Sequence, residues 1–282
     1  MIEEIIAKYL PEDESYAKDM CEAMRYSVLI GGKRIRPTLM LETYKLFGGC
    51  GEEIEPFMAA IEYIHTYSLV NDDLPAMDND ILRRGKTTTW KKYGEAAGVL
   101  AGDGLLTYAF ETAAKAFDMA DPALVGKAIG VLAHKAGLYG MVGGQAVDVA
   151  LTGSEISEDV LMYIFRLKTG ALIEASMMVG AILGGADDEQ IAICEGIAAD
   201  IGKAFQIRDD ILDVIADEKE LGKTIGSDEK NGKTTYVSLH GLEGAQDEVK
   251  VLSEHAISEL NKLPGDKVYF TDFIKKMETR SN

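Results

Sequence analysis

Six aspartates in two groups are the residues of this sequence best suited to chemistry. The first group lies in NDDLPAMDNDILRRG (71–85), where Asp72, Asp73 and Asp78 follow a DDxxxxD pattern and precede Arg83-Arg84-Gly85. The second lies in FQIRDDILD (205–213), where Asp209, Asp210 and Asp213 follow DDxxD. On a helix Asp209 and Asp213 share one face, and Gln206, three residues earlier, joins them. Asp72 stands two turns after His65, so both point the same way. Pro75 breaks or distorts a helix and lets Asp78 return toward the same site. Carboxylates packed this closely repel one another and weaken their helix, and a cation removes that penalty. Hard oxygen donors suit Mg²⁺, which keeps waters and completes its shell with substrate phosphates. Ca²⁺ fits less well, because the frame of an EF-hand loop is missing from both groups. Plain solvated charge is the competing explanation. It suits the second group poorly, since Asp209 and Asp210 sit among Phe205, Ile207, Ile211, Leu212 and Val214.

A metal that carries phosphates works beside cations and hydrogen-bond donors. Basic residues occur in Gly-rich, loop-like stretches: Gly31-Gly32-Lys33-Arg34-Ile35-Arg36-Pro37, Arg83-Arg84-Gly85, Leu221-Gly222-Lys223-Thr224 and Asn231-Gly232-Lys233-Thr234-Thr235-Tyr236. None is a Walker A loop, which would need Gly where Asp217 or Ser227 stands. Any one of these pairs could serve solubility alone. Together, in an acidic chain, they read as a set of anion contacts.

The elements that must hold these groups read as helices. No proline falls between Pro122 and Pro264, and a proline inside a helix costs about 3 kcal/mol. That stretch is rich in Ala, Leu, Ile, Met, Glu and Lys, with few alternating β-branched runs. Ser157-Glu158-Asp159 and Asp187-Asp188-Glu189 look like acid-rich helix starts. Pro56 looks like a first-turn proline opening FMAAIEYIHTYSLVNDD. No linker, low-complexity tract or fixed-period repeat appears, so the expectation is one all-α domain over residues 1–282. The net charge of −18, from 29 bases and 47 acids, argues against non-specific nucleic-acid binding and against docking on an anionic membrane. Cys21, Cys50 and Cys194 lie too far apart in sequence to suggest a zinc site, and an odd count gives no disulfide framework. The acidic N-terminus lacks the pattern of a signal peptide. No apolar run approaches the roughly 18 residues of a membrane span. A cytoplasmic protein without stable membrane insertion is expected.

The ordered set GGKRIRP, HTYSLVNDDLPAMDNDILRRG, GGQAVD, KTGALIEAS, FQIRDDILD and LGKT…GKTTY resembles the trans-isoprenyl diphosphate synthases, the farnesyl and geranylgeranyl diphosphate synthase family, over about residues 25–240. The resemblance implies a helical bundle around a deep central cavity, usually homodimeric. It implies that Asp72, Asp73 and Asp78, with Asp209, Asp210 and Asp213, hold three Mg²⁺ ions against an allylic diphosphate, Asp210 and Asp213 acting through indirect contacts. Arg83, Lys168, Lys223 and Lys233 would touch that diphosphate. Lys33, Arg36, His65 and Arg84 would bind isopentenyl diphosphate. Thr169 and Gln206 would lie near the developing carbocation, and Gln145 and Asp148 would support the site from behind. The implied reaction ionises the allylic C–O bond, joins the cation to the double bond of isopentenyl diphosphate, and loses a proton to the departing diphosphate. The sequence departs from the family at Asn71 and Phe165-Arg166, where His is frequent. It departs again at Ser227, where many members have Lys, and at Val237, where Pro is common. None of these positions is one of the six aspartates.

In such an enzyme the growing chain runs down from the metal site, and residues one turn before the first motif form its floor. Tyr67 lies five positions before Asp72, about 7.5 Å along a helix, and Ser68 lies four before. An aromatic at that place resembles the farnesyl (C15) type, whereas a small residue resembles the geranylgeranyl (C20) type. C15 is therefore the expected product and C20 the alternative. Two remoter readings are a terpene cyclase and a non-catalytic partner subunit. A cyclase has no need of GGKRIRP and Arg84, and partner subunits typically lack complete aspartate motifs.

Overall fold

A computed structural model of the chain describes residues 1–215 and 234–279. Among the described residues the fold is all-α, and its only strands are Leu82–Arg83 and Lys86–Thr87, which form a small antiparallel hairpin. The described residues fall into two compact units. The first holds Met1–Leu41 and Cys50–Ile129, and the second holds Glu42–Gly49 and the described residues from Gly130 onward.

In the first unit the helices are α1 (Ile2–Lys8), α2 (Lys18–Leu29), the start of α3 (Ile35–Leu46), α4 (Glu55–Asp72), α5 (Thr89–Tyr93), α6 (Glu95–Ala114) and the start of α7 (Pro122–Ala136). Pro56 sits in the first turn of α4, as its fixed φ favours. Phe57, Met58, Ala59, Ala60, Ile61, Tyr63 and Ile64 of α4 are all fully buried. A helix apolar on every side is a core helix, and α4 packs chiefly against α6, with α1 and α2 also in contact. The Tyr63 hydroxyl donates to the Ile6 carbonyl at 2.7 Å and ties α4 to α1. The helix stops at Asp72, three residues before Pro75.

The second unit continues with α8 (Met141–Ala150), α9 (Glu158–Ile164), a π-helical turn over Phe165–Gly170, α10 (Ala171–Leu183), α11 (Asp188–Ile215), α12 (Tyr236–Leu260) and α13 (Val268–Glu278). The acid-rich starts fall where the sequence put them. Ser157 is the N-cap of α9. Before α11, Asp187 and Gln190 exchange backbone-to-side-chain bonds at 2.8 and 3.0 Å, the reciprocal arrangement that satisfies orphan N–H groups. Nearly every residue of α10 is buried, so it forms the core against α11, and α12 runs along α11. The π-helical turn is pinned by two close approaches. A side chain at Gly144 of α8 would collide with the backbone of Leu167 and Lys168, and one at Gly202 of α11 would meet the Gly170 Cα at 2.7 Å.

Candidate functional site

In the first unit the aspartate motif forms where α4 runs out. Asp72 is the last helical residue, and the loop doubles back so that the Asp78 N–H donates to the Asp72 carbonyl at 2.9 Å. Asp72 is half-buried and Asp78 exposed. Asp73 is different. It is 3% exposed, and the Arg83 guanidinium takes it through Nε and Nη2 at 2.6–3.0 Å. Burial pushes its carboxyl up from the ordinary value, against the pull of Arg83. The fork of Arg83 thus fastens the hairpin to the end of α4, with Asp73 as its anchor.

Beside this motif lies a cluster of cations. Arg84, at the hairpin turn with a φ of +53°, reaches back so that its guanidinium occupies the space a side chain at Gly32 would need. Arg36 is half-buried, and its Nε has no hydrogen-bond partner among the described residues. Burial lowers Arg36 to about 10, with Glu62 opposing the shift and Arg84 adding to it. His65 sits in the same field. Burial, then Arg36, Arg84, Arg83 and Arg34, hold its imidazole well below the usual value, so it is neutral near pH 7. Lys33 is exposed on the same loop. Crowded cations with an unsatisfied buried donor suit an anion. Tyr67 is buried one turn before this end of α4, its hydroxyl pushed up to about 12 by burial. The Ser68 hydroxyl donates to the His65 carbonyl at 2.9 Å.

In the second unit the π-helical turn presents Lys168 and Thr169. The Lys168 ammonium donates to Asp148 at 2.5 Å, and the Thr169 hydroxyl donates to the Gln206 carbonyl oxygen at 2.5 Å. These groups and Asp210 line a cavity of about 140 Å³, together with the apolar Leu161, Ile164 and Phe165. Asp209 and Asp213 are half-buried on α11, whereas Asp210 is buried. Asp210 accepts the first N–H of α12, that of Tyr236, at 2.7 Å, where a carboxylate also meets the positive end of the helix dipole. Lys223 and Lys233 lie outside the described residues.

Among the described residues no three carboxylate, imidazole or thiol groups converge closely enough to enclose a metal ion by themselves. The accessible carboxylates nevertheless suit Mg²⁺, which takes one or two protein carboxylates and leaves room for waters and phosphates. Asp72, Asp78, Asp209 and Asp213 are such donors. Asp73 also holds Arg83, and Asp210 also holds the start of α12. Sequence reasoning missed Arg34, Glu62 and the buried pair of Lys135 with Glu174, because charged residues give no periodic sign of a buried partner. No described helix is long and apolar enough to cross a membrane.

Comparison with known proteins gives consistent matches. Residues 17–269 match the polyprenyl synthetase family. The chain is 46% identical to farnesyl diphosphate synthase of Geobacillus stearothermophilus over 94% of this chain and 89% of that one. It is also 46% identical to the large subunit 1 of a heterodimeric geranylgeranyl pyrophosphate synthase of Arabidopsis thaliana, over 88% of this chain and 68% of that one. Among solved structures, a Helicobacter pylori geranyltransferase complexed with magnesium and isoprenyl diphosphate superposes with a TM-score of 0.83 at 33% identity, covering 99% of this chain and 91% of that one.

Proposed function

Because the chain belongs to the polyprenyl synthetase family and is a prenyltransferase, we propose that it condenses isopentenyl diphosphate with dimethylallyl and geranyl diphosphates, in a Mg²⁺-dependent reaction, to farnesyl diphosphate. The observation that carries the reading is the cation cluster of Arg36, Arg84 and His65, with its unsatisfied buried Nε, inside a chain of net charge −18. Lys33, Arg36 and Arg84 bind the isopentenyl diphosphate anion, and His65, kept neutral, donates a hydrogen bond without adding charge. Asp72 and Asp78 of the first unit, and Asp209 and Asp213 of the second, are the carboxylates that would hold Mg²⁺, which would supply positive charge against the leaving diphosphate. Lys168 adds a direct contact to that diphosphate. The Thr169 hydroxyl and Gln206 amide offer fixed oxygen dipoles to the allylic cation as the C–O bond breaks. The new C–C bond forms from the isopentenyl double bond, and the proton released goes to the diphosphate.

The magnesium in the Helicobacter pylori complex supports the choice of metal. The buried Tyr67 supports C15 over C20, although relatives of both product lengths resemble the chain. The family's usual homodimer, in the cytoplasm, completes the proposal; sedimentation would then give twice 30.6 kDa. Incubation with Mg²⁺, labelled isopentenyl diphosphate and dimethylallyl, geranyl or farnesyl diphosphate, followed by product chromatography, tests the function. A labelled C15 product is expected from the first two. Failure to incorporate the label with any acceptor overturns the reading, and cyclised hydrocarbon formed without isopentenyl diphosphate would indicate a cyclase.

A further inference from the structure

Arg34 is the residue of the Gly31–Pro37 loop to which the phosphate reading gives no role, and at 6% exposure it is buried where its basic neighbours are not. Its φ is +48°, in the left-handed region that bulky L residues rarely adopt. All three guanidinium nitrogens donate. Nη1 donates to Glu62 of α4 at 2.6 Å, and Nη2 donates to the Val28 carbonyl near the end of α2 at 2.8 Å. Nε and Nη2 donate to the two carboxylate oxygens of Glu3 in α1 at 2.8 and 3.1 Å. Its carbonyl accepts the N–H and hydroxyl of Thr38, starting α3. One side chain therefore fastens three helices to the turn that carries Lys33 and leads into Arg36 at the start of α3. Glu62 lies one turn before His65 on α4, so the same bond also sets that turn against the imidazole.

We infer that Arg34, clamped between Glu62 and Glu3, is a positioning residue for the isopentenyl diphosphate site, and that helix α1 acts through Glu3 as a strap on that site. This rests on the proposed reading of Lys33, Arg36, His65 and Arg84. The clamp holds a strained turn in one conformation, so two cations are oriented before the substrate arrives. It also commits the buried Glu62 carboxylate to Arg34, which leaves Arg36 and Arg84 to meet an incoming anion. Glu3 is the informative position. Its side chain is 57% exposed, and when it is changed Arg34 still keeps its buried partners Glu62 and the Val28 carbonyl. Loosening this end of the clamp should therefore change the site more than the fold.

The test compares wild type with Glu3→Gln, Glu3→Ala and Glu3→Asp in steady-state assays. KM for isopentenyl diphosphate, KM for geranyl diphosphate, kcat and the thermal midpoint are measured for each. Glu3→Gln and Glu3→Ala should raise KM for isopentenyl diphosphate about three- to fivefold. They should leave KM for geranyl diphosphate and kcat within about twofold. Glu3→Asp should recover part of the loss. Arg34→Lys keeps the charge but not the fork, and its effect on the same KM should be larger, about tenfold. If Arg34→Lys does not fold, the Glu3 series decides alone. An unchanged KM for isopentenyl diphosphate in both Glu3→Gln and Glu3→Ala overturns the strap. So does an equal rise for both substrates, which would mark general loosening. A wild type that takes up no isopentenyl diphosphate sinks the site reading itself, whereas a normal wild type with normal Glu3 variants sinks the strap only.

Discussion

His65 and Tyr67 lie two positions apart on α4 and answer to different physics. The imidazole is held neutral by burial and four arginines. An unfolded chain restores its ordinary value of 6.5, so below that value the unfolded state binds the proton and the folded state does not. Folding stability is then present above about pH 6.5 and is lost as pH falls toward the depressed folded value. Urea unfolding at pH 7 and pH 5.5 checks this. His65→Gln should lose about 1 kcal/mol less than wild type over that interval, and parallel losses would count against it. Tyr67 acts by volume. Replacing it with Ala removes the buried aromatic one turn below Asp72, and chromatography should then reveal products longer than C15. An unchanged C15 limit would take the floor away from Tyr67. The sequence singles out His65 by its spacing to Asp72 and Tyr67 through the family resemblance. The pairing of Asp73 with Arg83 was not legible, because it depends on a hairpin that returns a residue ten positions along the chain, and two-residue strands leave no alternation to read.

Helix starts were the legible part of the elements, since caps and first-turn prolines are local chemistry. Ser157, the Asp187–Gln190 exchange and Pro56 all mark starts that the residues announce. The π-helical turn at Phe165–Gly170 was not legible, because its extra residue is accommodated by neighbours distant in sequence. Gly144 and Gly202 let two helices close on it, and a buried network lies behind it. Lys135 binds both Glu174 and Glu195, and Arg166 approaches Glu174 at 3.6 Å. Glu174 is fully buried, and such a carboxylate is tolerated only because it is paired. Gly202→Ala tests whether the turn must be seated this closely. The added Cβ meets backbone rather than a movable side chain, so the turn or α11 must shift. Overpacking of this kind costs about 1–3 kcal/mol. It should also displace Thr169 from Gln206, four residues along the same helix, and lower kcat by at least tenfold, of the order seen for small misplacements of catalytic groups. A Gly202→Ala enzyme with lowered thermal midpoint and normal kcat would mean the close approach serves packing alone.

At the scale of the molecule, a net charge of −18 should repel diphosphates, and the chain answers that repulsion in two chemically distinct ways. In the first unit, Arg36, Arg84 and Lys33 gather side-chain cations around a neutral histidine, so an isopentenyl diphosphate bound there meets protein donors directly. On the proposed reading Asp72 and Asp78 of the first unit, and Asp209 and Asp213 of the second, are anions that would attract a second diphosphate only through a divalent ion. A chelator should therefore separate the two ligands. With EDTA present, equilibrium binding of labelled geranyl diphosphate should fall by at least a hundredfold, since the carboxylates then face the phosphates unscreened. Binding of labelled isopentenyl diphosphate should change less than about threefold, because guanidinium and ammonium contacts do not depend on metal. Turnover should vanish and return when Mg²⁺ exceeds the chelator. Equal loss of both ligands would place metal in both sites, and survival of geranyl diphosphate binding would remove the aspartates from its recognition.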